Sequence, residues 1–531
     1  MSDDIIGGIM ATAGREPGRT AIIDGRGREI SYGELARRVK AVRTAMNGTD
    51  GRDGTDGRDG TDGRDGTDGR DGTDGGLRPG DGVLFAVRPG VDAVVLALGA
   101  VAAGGTLVLA DPGLAPEVLG ARMTATRPRW VVAESLLYTL SGPLKGLARR
   151  RGLLLPNLRD PLPGRPVRHL YTGPWLPGVP RAALRLSRIL RSPGASAPER
   201  PAASPDTPDP IAADQPAAVI FTSGTTARPR GVVHTRGSLA AGLALFRSAF
   251  PLGPGDVVHT DQLMLGLPAL LAGATWSLPG DGDPAEEMAA RGATHTFAVP
   301  VHLDRLLRRT PRLPETLRYL LLGAAPAPPA VLRRAVEAGP EVLSVYAMTE
   351  ALPIAIASAR EKLAQAEGDL LGAPLPGVGV RIADDGELFV SGPHLARRYL
   401  GEDPLEEIAT GDLVRIEEGR LVLLGRKKDM ILRDGVNIYP GLYEPAVAAL
   451  PGVAEAAIVG LADPETGDEE VVLAVIPAGG YDEGLLRKAL PAIIDAAALP
   501  DRIEPLDAFP RSGRADKLDR AALRDLVTRR A

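Results

Sequence analysis

Cysteine is absent from this sequence of 531 residues. Its absence excludes disulfides, iron–sulfur clusters, thiolate zinc sites and a cysteine nucleophile. Aromatic residues make up only 4% of the chain, so we expect a core of aliphatic side chains. Neither sign of charge is in strong excess, and the formal net charge of −5 does not mark a binder of nucleic acid or of an acidic membrane. These absences favour a cytoplasmic enzyme that acts on small molecules and has no nucleic-acid partner.

Long hydrophobic runs are also scarce. The one apolar run near membrane-spanning length covers residues 91–110. Gly104 and Gly105 divide it into an alanine-rich half and a β-branched half, which predicts a buried helix followed by a buried strand. The first residues are acidic and lack the basic and apolar regions of a secretory signal. We therefore predict no transmembrane segment.

An amphipathic helix is predicted to begin after Ser31, with Glu34 at the spacing of a capping box. Its apolar residues recur at helical spacing at Leu35, Val39, Val42 and Met46. Helical and strand patterns then alternate along most of the chain, which predicts an α/β fold. We expect a large N-terminal domain of packed sheets and helices at 1–427 and a small α+β C-terminal domain at 428–531.

Two segments interrupt this pattern. Residues 48–75 form a perfect tandem repeat of GTDGRD that ends in GTDG. No position of the repeat is apolar and able to stack as in a calcium-binding β-roll, so we interpret it as a disordered surface loop, with a calcium-binding or interaction loop as the alternative. The segment at about 156–215 is rich in proline, arginine, serine and alanine, and we interpret it as a flexible excursion.

A loop rich in hydroxyl groups and glycine follows the short apolar strand at 217–221. It reads TSGTTARPRG from residue 222 to residue 231. Backbone amides and small hydroxyls can wrap a polyphosphate, and Arg228 and Arg230 can add charge-assisted hydrogen bonds. The GxxxxGK[ST] spacing is absent, so the loop is not a Walker A loop. It is a candidate phosphate site of another kind.

This loop resembles the TSGTTGxPKG loop of the acyl-adenylate-forming superfamily of AMP-dependent synthetases and ligases. Five more segments resemble motifs of that superfamily, in the same order: LLLGAAP at 320–326, YAMTE at 346–350, TGDL at 410–413, GRKKDMILRDGVNIYP at 425–440 and PRSGRADKLDR at 510–520. Six ordered motifs are a strong signal where any one is weak. The resemblance implies a large adenylate-forming domain, a mobile C-terminal lid and an ATP-dependent, AMP-forming acid ligase similar to acyl-CoA synthetases.

The resemblance also implies a nucleotide site. The leaving pyrophosphate would be bound by Thr222, Ser223, Gly224, Thr225 and Thr226, with Arg230 at the usual lysine position. The adenine-side loop would be Gly323, Ala324 and Ala325, with Tyr346 stacked on the adenine ring. Asp412 would accept hydrogen bonds from the ribose hydroxyls, and Arg426 would reach the same sugar.

Three residues are implied in the chemical step, which joins a carboxylate to the α-phosphate of ATP. Thr349 would bond the α-phosphate, and Glu350 would ligate Mg²⁺, a hard cation that prefers oxygen ligands. Lys517 would bridge the substrate carboxylate and the α-phosphate. Two anions meet in this reaction, so positive charge must stabilise the transition state.

The second half-reaction is expected to involve a rotation of the C-terminal domain about Lys428, the position of the family's hinge. The rotation would replace Lys517 with Gly435 and its neighbours. It would open a path for a thiol, coenzyme A in the first hypothesis, to attack the acyl-AMP. An acyl carrier protein is an alternative acceptor, since no carrier domain is attached.

The acyl pocket is expected to draw on His259, Leu265, Val299, Gly323 and Ala347. These residues and their neighbours are mostly apolar, which favours an aliphatic or fatty acid over an amino acid. His259 is interpreted either as a pocket gate or as a structural histidine. None of the six histidines has metal-ligand spacing.

Four positions depart from the family pattern: Ala227, Arg230, Ala347 and Asp516. They motivate one alternative function, a nucleotide- or acyl-binding protein that has lost turnover. A second alternative comes from the run TEALPI at 349–354, which resembles β-lactone synthetases. In such enzymes the hydroxyl of a 3-hydroxy acid attacks its own acyl-AMP, and no thiol is needed.

Overall fold

A computed structural model describes residues 4–48, 76–109, 116–150, 155–191, 213–222, 230–324, 327, 329–365, 369–426, 430–438, 440, 443–512 and 517–530. For residues 116, 117, 222, 424–426, 437, 445, 512 and 517 the description is limited to the backbone. The repeat after Gly48 therefore lies outside the described residues.

Sixteen α-helices are present in these ranges: α1 (Ile5–Arg15), α2 (Tyr32–Asn47), α3 (Val91–Ala102), α4 (Pro116–Thr126), α5 (Ser135–Ser141), α6 (Lys145–Arg150), α7 (Leu186–Ile189), α8 (Arg236–Ala249), α9 (Leu263–Ala272), α10 (Pro284–Ala290), α11 (Pro300–Arg309), α12 (Pro329–Glu337), α13 (Ala359–Ala364), α14 (Glu444–Ala448), α15 (Glu483–Ala489) and α16 (Arg520–Thr528).

The strands of the N-terminal part are β1 (Thr20–Ile23), β2 (Glu29–Ser31), β3 (Gly82–Ala86), β4 (Thr106–Leu109), β5 (Trp130–Glu134), β6 (Arg168–Thr172), β7 (Leu184–Arg185), β8 (Pro216–Thr222), β9 (Arg230–Thr235), β10 (Val257–His259), β11 (Thr275–Ser277), β12 (His295–Ala298), β13 (Tyr319–Leu322), β14 (Glu341–Met348), β15 (Ala351–Ser358), β16 (Asp369–Pro374), β17 (Gly379–Ile382), β18 (Glu387–Ser391), β19 (Arg398–Tyr399), β20 (Ile408–Glu417) and β21 (Arg420–Arg426). The C-terminal part contributes β22 (Ile431–Arg433), β23 (Val436–Ile438), β24 (Val453–Ala462), β25 (Glu469–Pro477), β26 (Arg502–Pro505), β27 (Arg511–Ser512) and β28 (Lys517–Leu518).

The largest sheet has thirteen strands in the order β17-β18-β20-β21-β16-β15-β14-β13-β12-β10-β11-β1-β2. Its central strands β10, β12, β13 and β14 are parallel to their neighbours in this group. Their carboxyl ends therefore meet at one edge, where ligands bind in open α/β sheets. The segments beginning at Val299, Gly323 and Thr349 follow three of these strands.

A second sheet has eight strands in the order β19-β9-β8-β4-β3-β5-β6-β7. The main hydrophobic core joins the two sheets, since it contains Val83 and Trp130 from this sheet and Ile22 and Trp276 from the larger one. The short strand β19 comes late in the chain but pairs antiparallel with β9, with Tyr399 opposite Val232. This pairing brings distant residues to the end of the candidate phosphate loop.

The C-terminal part has its own three-stranded sheet, β24-β25-β26, with separate cores on its two faces. The hairpin β22-β23 is connected by a turn at Asp434 and Gly435. The predicted α/β class, with a large N-terminal domain and a small α+β C-terminal domain, is thus confirmed. The boundary at Lys428 stays a prediction, because that residue lies outside the described ranges.

Several local predictions are confirmed. Ser31 caps α2 by accepting a hydrogen bond from the Glu34 amide at 3.2 Å, although the Glu34 carboxylate pairs with Arg37 and Arg38 rather than completing the capping box. The apolar run at 91–110 separates into α3 and β4 as expected. No helix in the described part of the chain combines the length and apolar character needed to cross a membrane.

The proline-rich segment differs from its prediction. Residues 168–172 form β6, which lies parallel to β5 inside the eight-stranded sheet. The Leu170 and Tyr171 side chains are buried there, and β7 extends the sheet by one more strand. The excursion is therefore ordered over this stretch, because Leu170 and Tyr171 pack into the cores on the two faces of the sheet. Residues 192–212 lie outside the described ranges.

Candidate nucleotide and acyl site

A buried carboxylate lies just past the end of β14. Glu350 is 7% exposed, and its Oε1 accepts a hydrogen bond of 2.8 Å from the Tyr399 hydroxyl. The Arg230 guanidinium lies over the Tyr399 ring at 3.4 Å from its centroid and also pairs with Glu402 at 2.6 Å. Burial and the nearby Glu350 charge raise the pKa of Tyr399, so its hydroxyl stays a donor. Arg230, Tyr399 and Glu350 thus form one connected group.

A second carboxylate lies on β20 and is contacted by a side chain of β14. Asp412 is 7% exposed, and its Oδ2 accepts a 2.7 Å hydrogen bond from the Tyr346 hydroxyl. The turn before it is shaped by Thr410, whose Oγ1 accepts from the Asp412 amide at 3.1 Å, and by Gly411 at φ +75°. Asp412 is also directly opposite Arg426 in the ladder between β20 and β21. The structure therefore brings together Tyr346, Asp412 and the backbone of Arg426.

Thr349 is held through its backbone by a histidine that the sequence reasoning did not select. The His234 imidazole Nε2 lies 2.7 Å from the Thr349 carbonyl oxygen, to which it donates, and its Nδ1 lies 3.3 Å from Ser238 Oγ. Burial lowers the pKa of His234, so the ring is neutral at physiological pH. The segment between Tyr346 and Glu350 is therefore anchored to β9 through the His234 side chain.

His394 lies in the same region and is 1% exposed. Among the described residues, neither of its ring nitrogens has a hydrogen-bond partner. Burial, together with repulsion from His234, lowers the pKa of His394 to about 4. A neutral ring is the only form that this environment favours near neutral pH.

The strand ends β12 and β13 form the other wall of the candidate site. A Cβ added at Gly323 would lie 3.0 Å from Phe297 Cε2, so glycine lets this aromatic ring approach the backbone. Ala324, which follows, has φ +68°. Val299 precedes α11 as its N-cap. This wall is apolar and lies at the carboxyl ends of the parallel strands.

Two predicted pocket residues lie deeper than this wall. His259 is 4% exposed, its Nδ1 lies 3.1 Å from Ser277 Oγ, and burial lowers its pKa. Leu265 is 2% exposed and belongs to the main core. Ala347 lies where the register between β14 and β15 shifts, beside Tyr346. The part that these residues play in an acyl pocket stays a prediction.

The C-terminal hairpin contacts the apolar wall. A Cβ added at Gly435 would lie 3.0 Å from Val299 Cγ1 and 3.3 Å from the Ala324 Cβ, and Gly435 has φ +75°. Nearby, Arg305 of α11 lies 3.7 Å from Asp434. The turn that the family resemblance assigned to the thiol side therefore lies against Ala324 and Val299, which were predicted for the adenine side and the acyl pocket.

Several predicted site residues lie outside these observations. Residues 223–226, Ala325 and Lys428 are not among the described residues. For Thr222, Arg426 and Lys517 only the backbone is described, at the ends of β8 and β21 and in β28. Their roles stay predictions.

The chemistry of the site fits a magnesium ion carried by a nucleotide. Mg²⁺ is usually held by one or two carboxylates together with substrate phosphates. Glu350 offers such a carboxylate, oriented by Tyr399. Within the described ranges, no three histidine or acidic side chains are grouped as a complete protein cage for a metal.

Tyr399 and His234 are two residues of this site that the sequence reasoning missed. His234 lies four residues after Arg230, and the phase of β9 could have indicated that its side chain faces β14. Tyr399 carries no local signal, because its position depends on β19 crossing to pair with β9. Only a long-range pairing places it beside Glu350.

The chain matches two models of one enzyme family. A family model described as AMP-binding enzyme matches residues 73–400, and a model described as AMP-binding enzyme C-terminal domain matches residues 443–515. Feruloyl-CoA synthase from an Amycolatopsis species is 31% identical over 370 residues, which cover 62% of this chain and 74% of that protein. Indoleacetate–CoA ligase of Aromatoleum aromaticum is 30% identical over 386 residues, which cover 66% and 73%.

Solved structures are similar over nearly the whole chain. An amide bond synthetase from Marinactinospora thermotolerans has a TM-score of 0.77 and 25% identity, and the match covers 98% of this chain and 99% of that one. A malonyl-CoA ligase in complex with methylmalonyl-CoA and AMP has a TM-score of 0.66 and 26% identity, with coverage of 93% and 97%.

Proposed function

The chain belongs to the AMP-binding enzyme family, and from this premise we propose that it activates a carboxylic acid as its acyl-AMP and then transfers the acyl group to coenzyme A. One observation carries the proposal. The residues that the motifs assigned to phosphate, magnesium, adenine and ribose belong to two groups near the carboxyl end of β14: Arg230 and Glu350 are joined by Tyr399, and Tyr346 is bonded to Asp412.

In the first step, a carboxylate oxygen of the acid attacks the α-phosphorus of ATP. The bond from the α-phosphorus to the bridging oxygen breaks, and pyrophosphate leaves. We assign the leaving pyrophosphate to the loop from Thr222 to Thr226 with Arg230, and we assign Lys517 to the two oxyanions that meet. Preorganised positive charge is the main means by which a protein accelerates such a step.

The magnesium ion would be held by Glu350 and by the phosphates, and it would neutralise charge on the phosphate oxygens. Tyr399 orients the Glu350 carboxylate, and His234 fixes the backbone of the neighbouring Thr349. We assign the ribose to Asp412 and Arg426 and the adenine face to Tyr346. The hydrogen bond from Tyr346 to Asp412 supports this pairing, because it couples the two groups that would contact one nucleoside.

The thiol step is supported by the position of Gly435. Its turn lies against Val299 and Ala324, at the wall where an acyl-AMP carbonyl is expected. We propose that rotation about Lys428 exchanges this turn with Lys517 between the two half-reactions. The thiolate of coenzyme A would then attack the acyl carbonyl, and AMP would leave.

The acid is proposed to have an apolar body. The wall of Phe297, Gly323 and Val299 supports this class, and so did the apolar composition around His259. The relatives are named for ferulate, indoleacetate and 2-succinylbenzoate, which are aromatic acids rather than fatty acids. We therefore place aromatic acids beside the aliphatic and fatty acids that the sequence favoured.

A panel assay tests the proposal. The protein is incubated with ATP, Mg²⁺ and single acids from an aromatic, a fatty and a 3-hydroxy series, and pyrophosphate is measured with and without coenzyme A. Acid-dependent pyrophosphate release and an acyl-CoA product identified by mass spectrometry are expected. Glu350→Gln is expected to abolish both. Failure of every acid to release pyrophosphate would overturn the proposal in favour of a binding protein without turnover.

The acceptor is tested by further arms of the same assay. Formation of a β-lactone from a 3-hydroxy acid without thiol would show that the acceptor is the hydroxyl of the acid itself and not coenzyme A. A thioester on an acyl carrier protein would replace it by a protein thiol. An amine arm is included because the amide bond synthetase is similar over almost the entire chain. Each of these outcomes would support the adenylation step and contradict the proposed transfer to coenzyme A.

A further inference from the structure

The net charge of −5 conceals a strongly basic segment. Residues 135–191 contain eleven lysine and arginine residues and a single acidic residue, Asp160. A net charge of about +10 is therefore concentrated in roughly a tenth of an otherwise acidic chain. Such asymmetry points to an anionic partner more directly than the overall charge does.

The same segment exposes apolar side chains. Ten large apolar side chains are exposed among the described residues, and five of them belong to this segment: Leu136 (44%), Leu144 (43%), Leu147 (47%), Trp175 (55%) and Leu184 (37%). Single exposed leucines are ordinary on a protein surface, but a local concentration of them marks an interaction site. Trp175 is the most exposed of the five.

Contacts within the fold hold these residues near one another. The loop with Trp175 packs on α5, where Thr139 Oγ1 donates a 2.7 Å hydrogen bond to the Pro177 carbonyl. β7 is held to the start of that loop, because Arg185 Nε donates to the Gly173 carbonyl at 3.1 Å. The Leu144 amide bonds to the Thr139 carbonyl, so α6 continues directly from α5. α5 begins at the carboxyl end of β5, and the loop with Trp175 begins at the carboxyl end of the adjacent parallel strand β6, so both start at the same edge of the eight-stranded sheet.

We define the basic apolar face by its side chains: Leu136, Leu144, Leu147 and Trp175, with Lys145, Arg149, Arg150, Arg181 and Arg185. Leu144, just before α6, and Leu147, within it, lie among the cations Lys145, Arg149 and Arg150. In the part of the chain that the structure describes, no carboxylate forms an ion pair with Lys145, Arg149, Arg150 or Arg181. Asp160 lines the same cleft as Lys145 and Arg149, so among the described residues one carboxylate lies beside several cations and the face keeps a net positive charge.

We propose that the basic apolar face binds the surface of an anionic lipid bilayer. Tryptophan and leucine insert at the level of the headgroups, where an apolar body and a polar edge are both accommodated. Lysine and arginine around them attract the anionic headgroups, with a free energy that corresponds to about a fivefold gain in partitioning per cation. Association of this kind is peripheral, and neither the adenylation nor the thiol step is required for it.

Other occupants fit the face less well. A second copy of the chain would bring two strongly positive surfaces together, which like-charge repulsion opposes. Nucleic acid would engage the arginines but would gain little from the exposed leucines of this face. An acidic protein matches the charge, so it is included as a competing outcome of the test.

Vesicle co-sedimentation of the full chain tests the proposal. Vesicles of phosphatidylcholine alone are compared with vesicles containing about one third phosphatidylglycerol, at low salt and at high salt. We expect binding to the anionic vesicles only, with a loss at high salt because screening weakens the attraction. The triple variant R149S/R150S/R181S is expected to bind about a hundredfold more weakly.

A matched triple variant, R312S/R333S/R360S, removes the same charge from exposed positions elsewhere in the fold. It is expected to bind the vesicles within about twofold of the unmodified protein. Equal losses in the two triple variants would overturn the proposal, because net charge rather than this face would then control binding. Absence of binding to any vesicle, with capture by a purified acidic carrier protein instead, would assign the face to a protein partner.

Tryptophan fluorescence supplies a second readout that does not depend on charge. The chain has three tryptophans, and Trp130 and Trp276 are 2% and 1% exposed, so Trp175 alone faces solvent. A blue shift of the emission on adding anionic vesicles is expected and should disappear in Trp175→Phe. Sedimentation without any blue shift would overturn the insertion of Trp175 that the proposal requires.

Discussion

Replacement of Tyr399 by phenylalanine removes one oxygen atom from the candidate site. The ring is retained, so the stacking of Arg230 over it at 3.4 Å is also retained. The Glu350 carboxylate then loses the donor that lies 2.8 Å from its Oε1 while remaining 7% exposed. The substitution therefore isolates the hydroxyl–carboxylate hydrogen bond.

The magnitude follows from the charge of the acceptor. Hydrogen bonds to charged groups contribute about 1.5–3 kcal/mol, and a buried charge that loses its partner retains the cost of desolvation. We expect the free energy of unfolding to fall by about that amount. If the whole effect is expressed in the transition state, pyrophosphate release slows by about 10- to 150-fold.

Tyr481 provides a matched control, since its buried hydroxyl has no hydrogen-bond partner among the described residues. Tyr481→Phe removes the same atom without removing a hydrogen bond, and we expect unchanged stability and unchanged turnover. The measurements are chemical denaturation and acid-dependent ATP–pyrophosphate exchange at several Mg²⁺ concentrations. The effect of Tyr399→Phe on exchange should shrink at high Mg²⁺, because a misoriented carboxylate weakens metal binding first. Equal behaviour of the two variants would refute the role given to Tyr399.

Four further predictions concern the C-terminal domain, one buried histidine and the repeat. Lys517→Ala is expected to lower pyrophosphate release at least about a hundredfold. The conversion of added acyl-AMP to acyl-CoA, followed by mass spectrometry, should stay intact. Equal loss of both steps would contradict the assignment of Lys517 to the first step. Gly435→Ala is expected to do the reverse, because its Cβ would lie 3.0 Å from Val299 at φ +75°, so acyl-AMP should accumulate in the presence of coenzyme A. His394 has a folded-state pKa of about 4, below the unfolded value of about 6.5, so the unfolded state binds the proton more readily and stability is lost as the pH falls from 6.5 towards 4. The expected loss in the free energy of unfolding at pH 5 is roughly 2 kcal/mol. Thermal melts of His394→Gln should show a weaker dependence of stability on pH over this range. Excision of residues 49–75 is expected to leave Tm within a few degrees of the value for the full chain, because the Leu77 amide bonds to the Met46 carbonyl at 2.8 Å and holds the two ends of the loop together. A large fall in Tm on excision would show that the repeat contributes to the stability of the fold.

Local patterns predicted the elements that depend on local physics. The spacing of Leu35, Val39, Val42 and Met46 gave α2 its buried face, and all four are at most 1% exposed. Two glycines separated α3 from β4 because neither helix nor strand continues readily through them. These predictions needed only periodicity and the preferences of single residues.

The candidate site was predictable only in part. The motifs directed attention to Glu350, Asp412 and Tyr346, which the fold brings to one edge. They did not indicate that Tyr399 binds Glu350, because that contact joins residues 49 positions apart through strand β19 in another sheet. β6 was missed for a similar reason, since a short strand among prolines is stabilised by its neighbours rather than by its own sequence.

The uneven distribution of charge along the chain was also not evident from its net charge. A net charge of −5 averaged a basic segment with an acidic remainder, and our sequence interpretation excluded an acidic membrane on that average. The fold adds what the average lacks, because it shows which leucines and arginines of residues 135–191 are exposed together. Charge must be located before it can be assigned to a partner.

The pairing of β19 with β9 has a consequence for protein synthesis. Arg230 and Glu350 leave the ribosome well before Tyr399, whose hydroxyl orients the carboxylate. Domains form from the N-terminus as translation proceeds, so a nascent chain that stops short of β19 has both charges but not their connection. Arrested chains of increasing length should therefore acquire affinity for a fluorescent ATP analogue only after β19, and with it the ribose-side strands β20 and β21, has cleared the exit tunnel.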